Sequence, residues 1–295
     1  MTPISQVLIV GGTHGNEMTG IQLVKNWLVQ LAPLQRPGLR LNFLLANLPA
    51  IQSTKRYVDF DLNRAFRPDL LDPSTPALNG EVQRAREINS QFGPRGLDST
   101  TDLCIDIHNS TANMGISLIV NRLDDAMRYI LWHLQNEFRE VHVLYQPEVE
   151  TQISYLPSIA KRDLTIEVGP QAHGTLRASL FHQTAALVSR CLDLVVSWNN
   201  GDRLPSPIPM TLFQQTGVMD YPRSAEGSVI AMIHPSLENC DYQEIKHQTP
   251  LFLGFDGKEY LWDGPQSTWL CFIGEAAYLE KRIAFSTLLK IQESW

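Results

Sequence analysis

Cysteine is scarce: Cys104, Cys191, Cys240 and Cys271 are the only four in 295 residues, and no two stand close together. That scatter excludes a cysteine-rich zinc module and a disulfide framework, and it fits a reducing compartment, so a cytoplasmic location is expected. Also missing is any uninterrupted apolar run of about eighteen residues, the length a spanning helix needs, so no membrane segment is expected. The first residues, M-T-P-I-S-Q-V-L, place no basic stretch before an apolar one, and no signal peptide is read there. Positive charge is the minority, with 24 Lys and Arg against 31 Asp and Glu, a net charge of −7, and no basic run. Nucleic acid is therefore not an expected partner, because phosphate binding needs clustered Lys and Arg. An acidic chain can still hold a small anion in a local positive pocket, which makes the placement of single arginines informative. No internal repeat and no low-complexity segment is present.

What remains is ordinary globular material, 43% hydrophobic and 19% charged, long enough for one large domain or one large and one small. Its focus is V-L-I-V-G-G-T-H-G-N-E, Val7 to Glu17. Four apolar residues read as a strand buried on both faces, and Gly11 and Gly12 permit a sharp turn. His14 and Glu17 follow at a spacing that, with Glu17 in a first helical turn, sets both side chains on one side. An imidazole and a carboxylate supply two thirds of the His₂Glu set of catalytic zinc sites. The pair alone fits a solvated helix start equally well, so a second histidine has to be found.

In chain order, residues 17–31 read as a helix with Ile21, Val24, Leu28 and Leu31 as its buried stripe, and 39–47 as a strand. Residues 47–66 have no sustained period and form a candidate functional loop. Its R-Y-V-D-F-D-L-N-R stretch, Arg56 to Arg64, is either a surface loop pairing its own charges or a set of forked donors for carboxylate and carbonyl oxygens. A helix is expected over 80–92 and a strand over 103–107, in L-C-I-D-I-H-N-S. His108 stands where that apolar run ends, the position at which parallel sheets place chemistry, and it is the candidate third ligand. Asp106 shares its face on an extended segment and can accept the other ring N–H. Further strands are expected at 116–120 and 141–145, with a helix over 124–138. Glu167 lies inside an apolar strand-like run before a Gly-Pro break, where a carboxylate must be paired or chemically employed. A long helix over 176–198 leads to a linker, Ser206 to Met210. From residue 202 to 295 the texture changes to short strands broken by Gly, Pro and Asp, which reads as a smaller β-rich C-terminal domain beside a catalytic domain of residues 1–201.

G-G-T-H-G-N-E-x-T-G, R-Y-V-D-F-D-L-N-R, D-I-H-N-S-T-x-N-M-G, S-I-A-K…I-E-V-G-P-Q and E-A-A-Y-x-E-K together closely resemble the aspartoacylase/succinylglutamate desuccinylase family of zinc-dependent deacylases. The blocks cover nearly the whole chain in order, and their combination is specific where any one is weak. The resemblance implies an α/β, carboxypeptidase-like mixed sheet flanked by helices, with a β-rich C-terminal unit narrowing the entrance. It implies one zinc ion per subunit on His14, Glu17 and His108, Glu167 as general base and Arg56 polarising the scissile carbonyl. Asn63, Arg64 and Tyr278 match substrate-binding positions, and Tyr155 matches the tyrosine of the loop that leads into S-I-A-K. The implied substrate is a small N-acyl amino acid, N-acetylaspartate first, cleaved to acetate and aspartate. A relative acting on another N-acyl or succinylated amino acid stays open, as do a catalytically silent metal-binding protein and a homodimer. One departure stands out: Pro157 occupies the position before S-I-A-K where an arginine commonly clamps substrate. Of the nearby basic residues Lys161, Arg162, Lys281 and Arg282, the expected replacement is Arg282, or Lys281 beside it.

Overall fold

The computed structural model describes residues 3–147, 153–204 and 208–294. In chain order the strands and helices are β1 (Gln6–Gly11), α1 (Met18–Val29), β2 (Arg40–Leu45), α2 (Leu48–Ser53), α3 (Pro68–Leu71), α4 (Gly80–Phe92), β3 (Leu103–Asn109), β4 (Ile116–Val120), α5 (Asp125–Glu137), β5 (Val141–Tyr145), β6 (Arg162–Val168) and α6 (Ala178–Asn199). The C-terminal part adds β7 (Pro209–Met219), β8 (Ala231–Ile233), β9 (Glu244–Ile245), β10 (Pro250–Gly254), β11 (Glu259–Leu261), β12 (Thr268–Cys271) and β13 (Phe285–Ser294).

Ten strands form one mixed sheet in the order β2-β1-β3-β6-β4-β5-β7-β13-β12-β9. β2, β1, β3 and β6 are mutually parallel, and β4 runs antiparallel to β6. Both faces are covered, as the continuous apolar run of β1 demands. Val7 and Ile9 join the core that includes Ile130 of α5 and Leu187 of α6, while Leu8 and Val10 join the core holding Val82, Ala85 and Ile88 of α4. Each fully buried Val, Leu or Ile contributes ~1.5–3 kcal/mol. On β3 the same alternation turns Leu103, Ile105 and Ile107 to the first core, and Cys104 to the second. Asp106 and His108 therefore project on the α4 side. Helix starts carry their caps: Asn79 Oδ1 accepts from the Val82 amide and Asp124 Oδ1 from the Met127 amide.

Several elements differ from expectation. α1 begins at Met18, so Glu17 is its N-cap residue, extended and making no capping bond, because its carboxylate is taken up by Arg56, the Asn109 amide, His14 and His108. Leu28, expected in the buried stripe, is 58% exposed; it sits in the last turn, and Trp27 takes the packed position. The stretch 47–66 contains α2, too short to show a helical period and started by Asn47 capping the Ala50 amide. The expected linker Ser206–Met210 lies partly outside the described residues, and β7 already begins at Pro209. β7 continues the main sheet, with Leu144 beside Phe213 and Tyr145 beside Gln214, and pairs along its length with β13. A separate three-stranded sheet, β11-β10-β8, completes the β-rich part.

Candidate active site

Two chain segments deliver the three candidate ligands. His14 and Glu17 lie between β1 and α1, and His108 lies next to the end of β3. Close packing holds them in place. A Cβ on Gly11 would lie 2.3 Å from the Gly20 carbonyl oxygen, and one on Gly20 would lie 2.5 Å from that of Ile107, so α1 rests directly on β1 and β3. His14 Nδ1 stands 2.7 Å from Glu17 Oε1, and His108 Nδ1 stands 2.9 Å from Glu17 Oε2 and 3.1 Å from His14 Nδ1. Among the described residues this is the one group of His, Cys, Asp and Glu side chains placed to share a metal ion.

The far side of each ring decides its tautomer. His14 Nε2 bonds Asp61 Oδ1 at 3.0 Å, and His108 Nε2 bonds Asp106 Oδ2 at 2.8 Å. A carboxylate only accepts, so each Nε2 carries a proton, and each Nδ1 is the nitrogen that can offer a lone pair to a cation at the common point. Thr13 donates to Asp106 and holds that carboxylate still. Three lone-pair donors this close repel unless a cation sits among them. Without a metal, burial opposes charge on both groups, yet His14 and His108 hold the Glu17 carboxyl well below its usual range. The carboxylates of Asp106 and Glu17 likewise raise His108 well above the usual imidazole value, against its burial. Their donor types and convergence fit zinc.

Glu167 neighbours His108 in the β3–β6 register and lies on the same face. Burial pushes its carboxyl up to about 8, with His108 opposing and Glu17 and Glu275 adding to the rise. It lines a cavity of about 230 Å³ together with His14, Arg56, Asn63, Arg64, Tyr155, Tyr278 and Lys281. Arg56 donates to Glu17 Oε1 at 3.0 Å, while its buried Nε makes no hydrogen bond and lies 3.7 Å from Asp61 Oδ2. Asn63 Oδ1 accepts from the Leu156 amide, which leaves the amide NH₂ as its available end. The Arg64 guanidinium lies 4.8 Å from the centre of the Tyr155 ring. The structure thus brings ten of the eleven candidate site residues to one place: nine surround the cavity or the ligand cluster, and Asp106 backs His108.

Arg282 is the exception and the correction. It is exposed, adopts a left-handed conformation (φ 58°) at the end of the turn 276–281, and does not line the cavity. That turn reverses the chain after Lys281, so Lys281 faces inward, its Nζ 3.4 Å from Asp61 Oδ2, and Arg282 outward. Burial and the like charges of Arg64 and Arg56 depress the Lys281 ammonium, with Asp61 opposing them. Pro157 is buried in the turn Leu156–Ile159 and is absent from the cavity wall. Two participants had been passed over. Asp61 was visible in the R-Y-V-D-F-D-L-N-R block, but nothing in the sequence distinguishes it from the exposed Asp59. Glu275 opens the E-A-A-Y block; its carboxylate accepts from Ser110 Oγ (2.6 Å) and the Thr111 amide (2.8 Å), and on its other oxygen from the Ala277 amide (3.0 Å). It clips the turn carrying Tyr278 to the segment after β3.

A half-parallel sheet with a buried His-Glu-His cluster at the C-terminal ends of β1 and β3 and a desolvated carboxylate beside a polar cavity is the arrangement of a hydrolase. The succinylglutamate desuccinylase/aspartoacylase catalytic domain matches residues 3–195, and the AstE/AspA barrel-sandwich hybrid domain matches residues 208–290. An aspartoacylase of Danio rerio is 40% identical over 286 residues, 96% of this chain and 90% of that protein. The N-acyl-aromatic-L-amino acid amidohydrolase (carboxylate-forming) of Homo sapiens is 38% identical, also over 96% of this chain and 90% of its own. The crystal structure of murine aminoacylase 3 superposes with a TM-score of 0.95 at 36% identity, covering 100% of this chain and 98% of that one. The chain belongs to the succinylglutamate desuccinylase/aspartoacylase family, and the expected fold, a mixed sheet flanked by helices with a β-rich C-terminal part, is the one observed.

Proposed function

We propose that this protein is a zinc-dependent amidohydrolase that cleaves N-acyl-L-aspartate, N-acetylaspartate first, to a carboxylate and L-aspartate. The observation that carries the reading is the convergence of two imidazole Nδ1 atoms and a carboxylate beside Glu167, in a cavity with a cationic wall. His14, Glu17 and His108 would hold the zinc, which when bound supplies Lewis acidity toward water and the substrate carbonyl. A divalent cation there also favours the carboxylate form of Glu167, which burial alone keeps protonated near neutrality.

Glu167 takes a proton from the attacking water, whose oxygen bonds the acyl carbon. The C–N bond then breaks, and Glu167 returns the proton to the amine nitrogen. The Arg56 guanidinium, which lines the cavity beside Glu167, is the donor for the oxyanion. Arg64 and Asn63 take one substrate carboxylate, with Tyr155 and Tyr278 beside it. Lys281 takes the second, since an anion there relieves the crowding of Lys281, Arg64 and Arg56. The β-rich C-terminal part contributes Tyr278 and Lys281 and narrows the entrance to single acylated amino acids. Four free cysteines support a reducing, cytoplasmic setting, and no helix among the described residues is long and apolar enough to cross a membrane.

The test is metal analysis together with a panel of N-acetylaspartate, aromatic N-acetyl amino acids and an N-succinyl amino acid. His108→Ala should lose most bound zinc and essentially all hydrolysis while circular dichroism stays native. Full activity in a demonstrably metal-free preparation would sink the reading.

A further inference from the structure

Three stretches of chain meet at the carboxylate of Glu275: the segment after β3, the segment after β6, and the turn that carries Tyr278 and Lys281. The segment after β6 is firmly seated. The Gln171 amide donates to the Ser110 carbonyl at 2.9 Å, and its buried side chain donates to Asn109 Oδ1 at 3.1 Å and to the Thr175 carbonyl at 3.0 Å. Gly174, at φ 74°, turns the chain back and donates its amide to the Asn16 carbonyl at 2.8 Å. His173 stands in this turn and reaches toward Glu275. Its Nε2 is buried, makes no hydrogen bond and lies 3.7 Å from Glu275 Oε1. The carboxylate is unevenly supplied. Oε2 accepts from Ser110 Oγ and from the Thr111 and Ala112 amides, whereas Oε1 accepts from the Ala277 amide.

A carboxylate only accepts, so the imidazole nitrogen that faces it carries the proton. A donor buried without an acceptor is costly, and Oε1 has a lone pair to spare. His173 and Glu275 are therefore one bond short, and an approach of about 0.8 Å would make it. The His173 side is fixed by Gln171 and Gly174, which leaves the turn 276–281 as the part that moves. Its side-chain ties to the loop after α2 are long: Lys281 to Asp61 at 3.4 Å, and Tyr57 to Glu280 at 3.2 Å on the surface. We propose that His173 is a positioning residue for substrate: when a substrate carboxylate draws Lys281 and Tyr278 inward, Glu275 closes on His173 Nε2, and the new bond fixes the turn over the occupied cavity. The proposal rests on the deacylase reading above, which gives Tyr278 and Lys281 their contact with substrate. His173 itself does not line the cavity and acts through Glu275. Glu167, Arg56 and the three candidate ligands lie outside this turn, so loss of the bond loosens the hold on substrate and leaves the reacting groups in place.

Three substitutions at this position, each in the zinc-loaded enzyme with N-acetylaspartate, provide the test. His173→Leu removes the donor, His173→Phe removes it but keeps a ring, and His173→Gln keeps a donating nitrogen at similar reach. Leu and Phe should each raise KM about tenfold while kcat stays within about twofold of wild type, and Gln should restore most of KM. If one of the first two fails to fold, the other is read against Gln. In crystals of the zinc-loaded Glu167→Gln enzyme holding intact N-acetylaspartate, the separation of His173 Nε2 from Glu275 Oε1 should shorten to about 2.9 Å. A ring that merely packs would give the Phe variant a wild-type KM, and that result overturns the proposal. So does a Gln variant no better than Leu, or a separation still at 3.7 Å with substrate bound. If the wild type cleaves no N-acyl amino acid, the deacylase reading falls, and calorimetry with N-acetylaspartate decides the role of His173. Binding about tenfold weaker in Leu and restored in Gln retains it; equal binding in all three proteins, or none, removes it.

Discussion

Glu167 combines two properties that rarely coexist in a structural carboxylate: a place beside the His14, Glu17 and His108 cluster and a carboxyl that burial drives up to about 8. Glu167→Gln keeps the size but cannot accept a proton. Zinc content should stay at the wild-type level while kcat falls by ~10²–10⁴; an unchanged kcat would make the residue structural. The cationic wall supplies a second contrast at this scale. Lys281 faces the cavity and Arg282 faces away, so Lys281→Ala should lower kcat/KM for N-acetylaspartate about ten- to a hundredfold, the loss of one charge-assisted bond. A neutral N-acetyl amino acid should suffer much less, and Arg282→Ala should leave the ratio of the two substrates where it was. Equal effects from the two variants would remove Lys281 from substrate recognition.

The elements matter for how closely they stack. α1 reaches β1 and β3 through Gly11 and Gly20, and it carries Glu17 at its N-terminus, while His108 rides on β3. Gly20→Ala inserts a Cβ 2.5 Å from the Ile107 carbonyl oxygen. It should cost about 1–3 kcal/mol in chemical denaturation. It should also weaken zinc binding, measured by competition with a chelator, since Glu17 is moved relative to His108. Normal metal affinity in a destabilised variant would mean that the site adjusts independently of this packing. Long periodic segments such as 80–92 and the strands at 116–120 and 141–145 were legible because a buried face repeats along them. α2, at six residues, was not, since it is fixed by a cap and by tertiary packing.

At the scale of the molecule, the C-terminal strands are fused to the catalytic sheet through β5 and β7, and His142 of β5 stacks on Tyr242 at 3.9 Å across that junction. Burial, assisted by Lys290, lowers His142 to about 4. The fold therefore favours the neutral ring. This contribution is fully present above the ordinary imidazole value of about 6.5 and is lost as pH falls from there toward 4. His142→Phe keeps a stacking ring but no titration, so its melting temperature should fall less than that of wild type between about pH 7 and pH 4.5. Asp163 and Asp241, both raised to about 6 by burial, work in the opposite sense, because acid relieves their buried charge. Parallel slopes in the two proteins would show that His142 does not carry the junction's acid sensitivity.

The chain by itself determined which chemistry is present. His14, Glu17 and His108 could be picked out because ligand-type residues at the ends of apolar runs need partners or a task, and Glu167 because a carboxylate inside such a run is costly to leave idle. The motif order carried the family and the fold. Only the tertiary structure decided which of two neighbouring side chains enters the cavity, as with Lys281 and Arg282, or Asp61 and Asp59, because a turn or a left-handed residue redirects a side chain without leaving a periodic trace. It alone brought Ser110, His173 and Glu275 to one junction. They come from segments far apart in sequence, and single polar residues acquire a common role only when strand register brings the loops that carry them side by side.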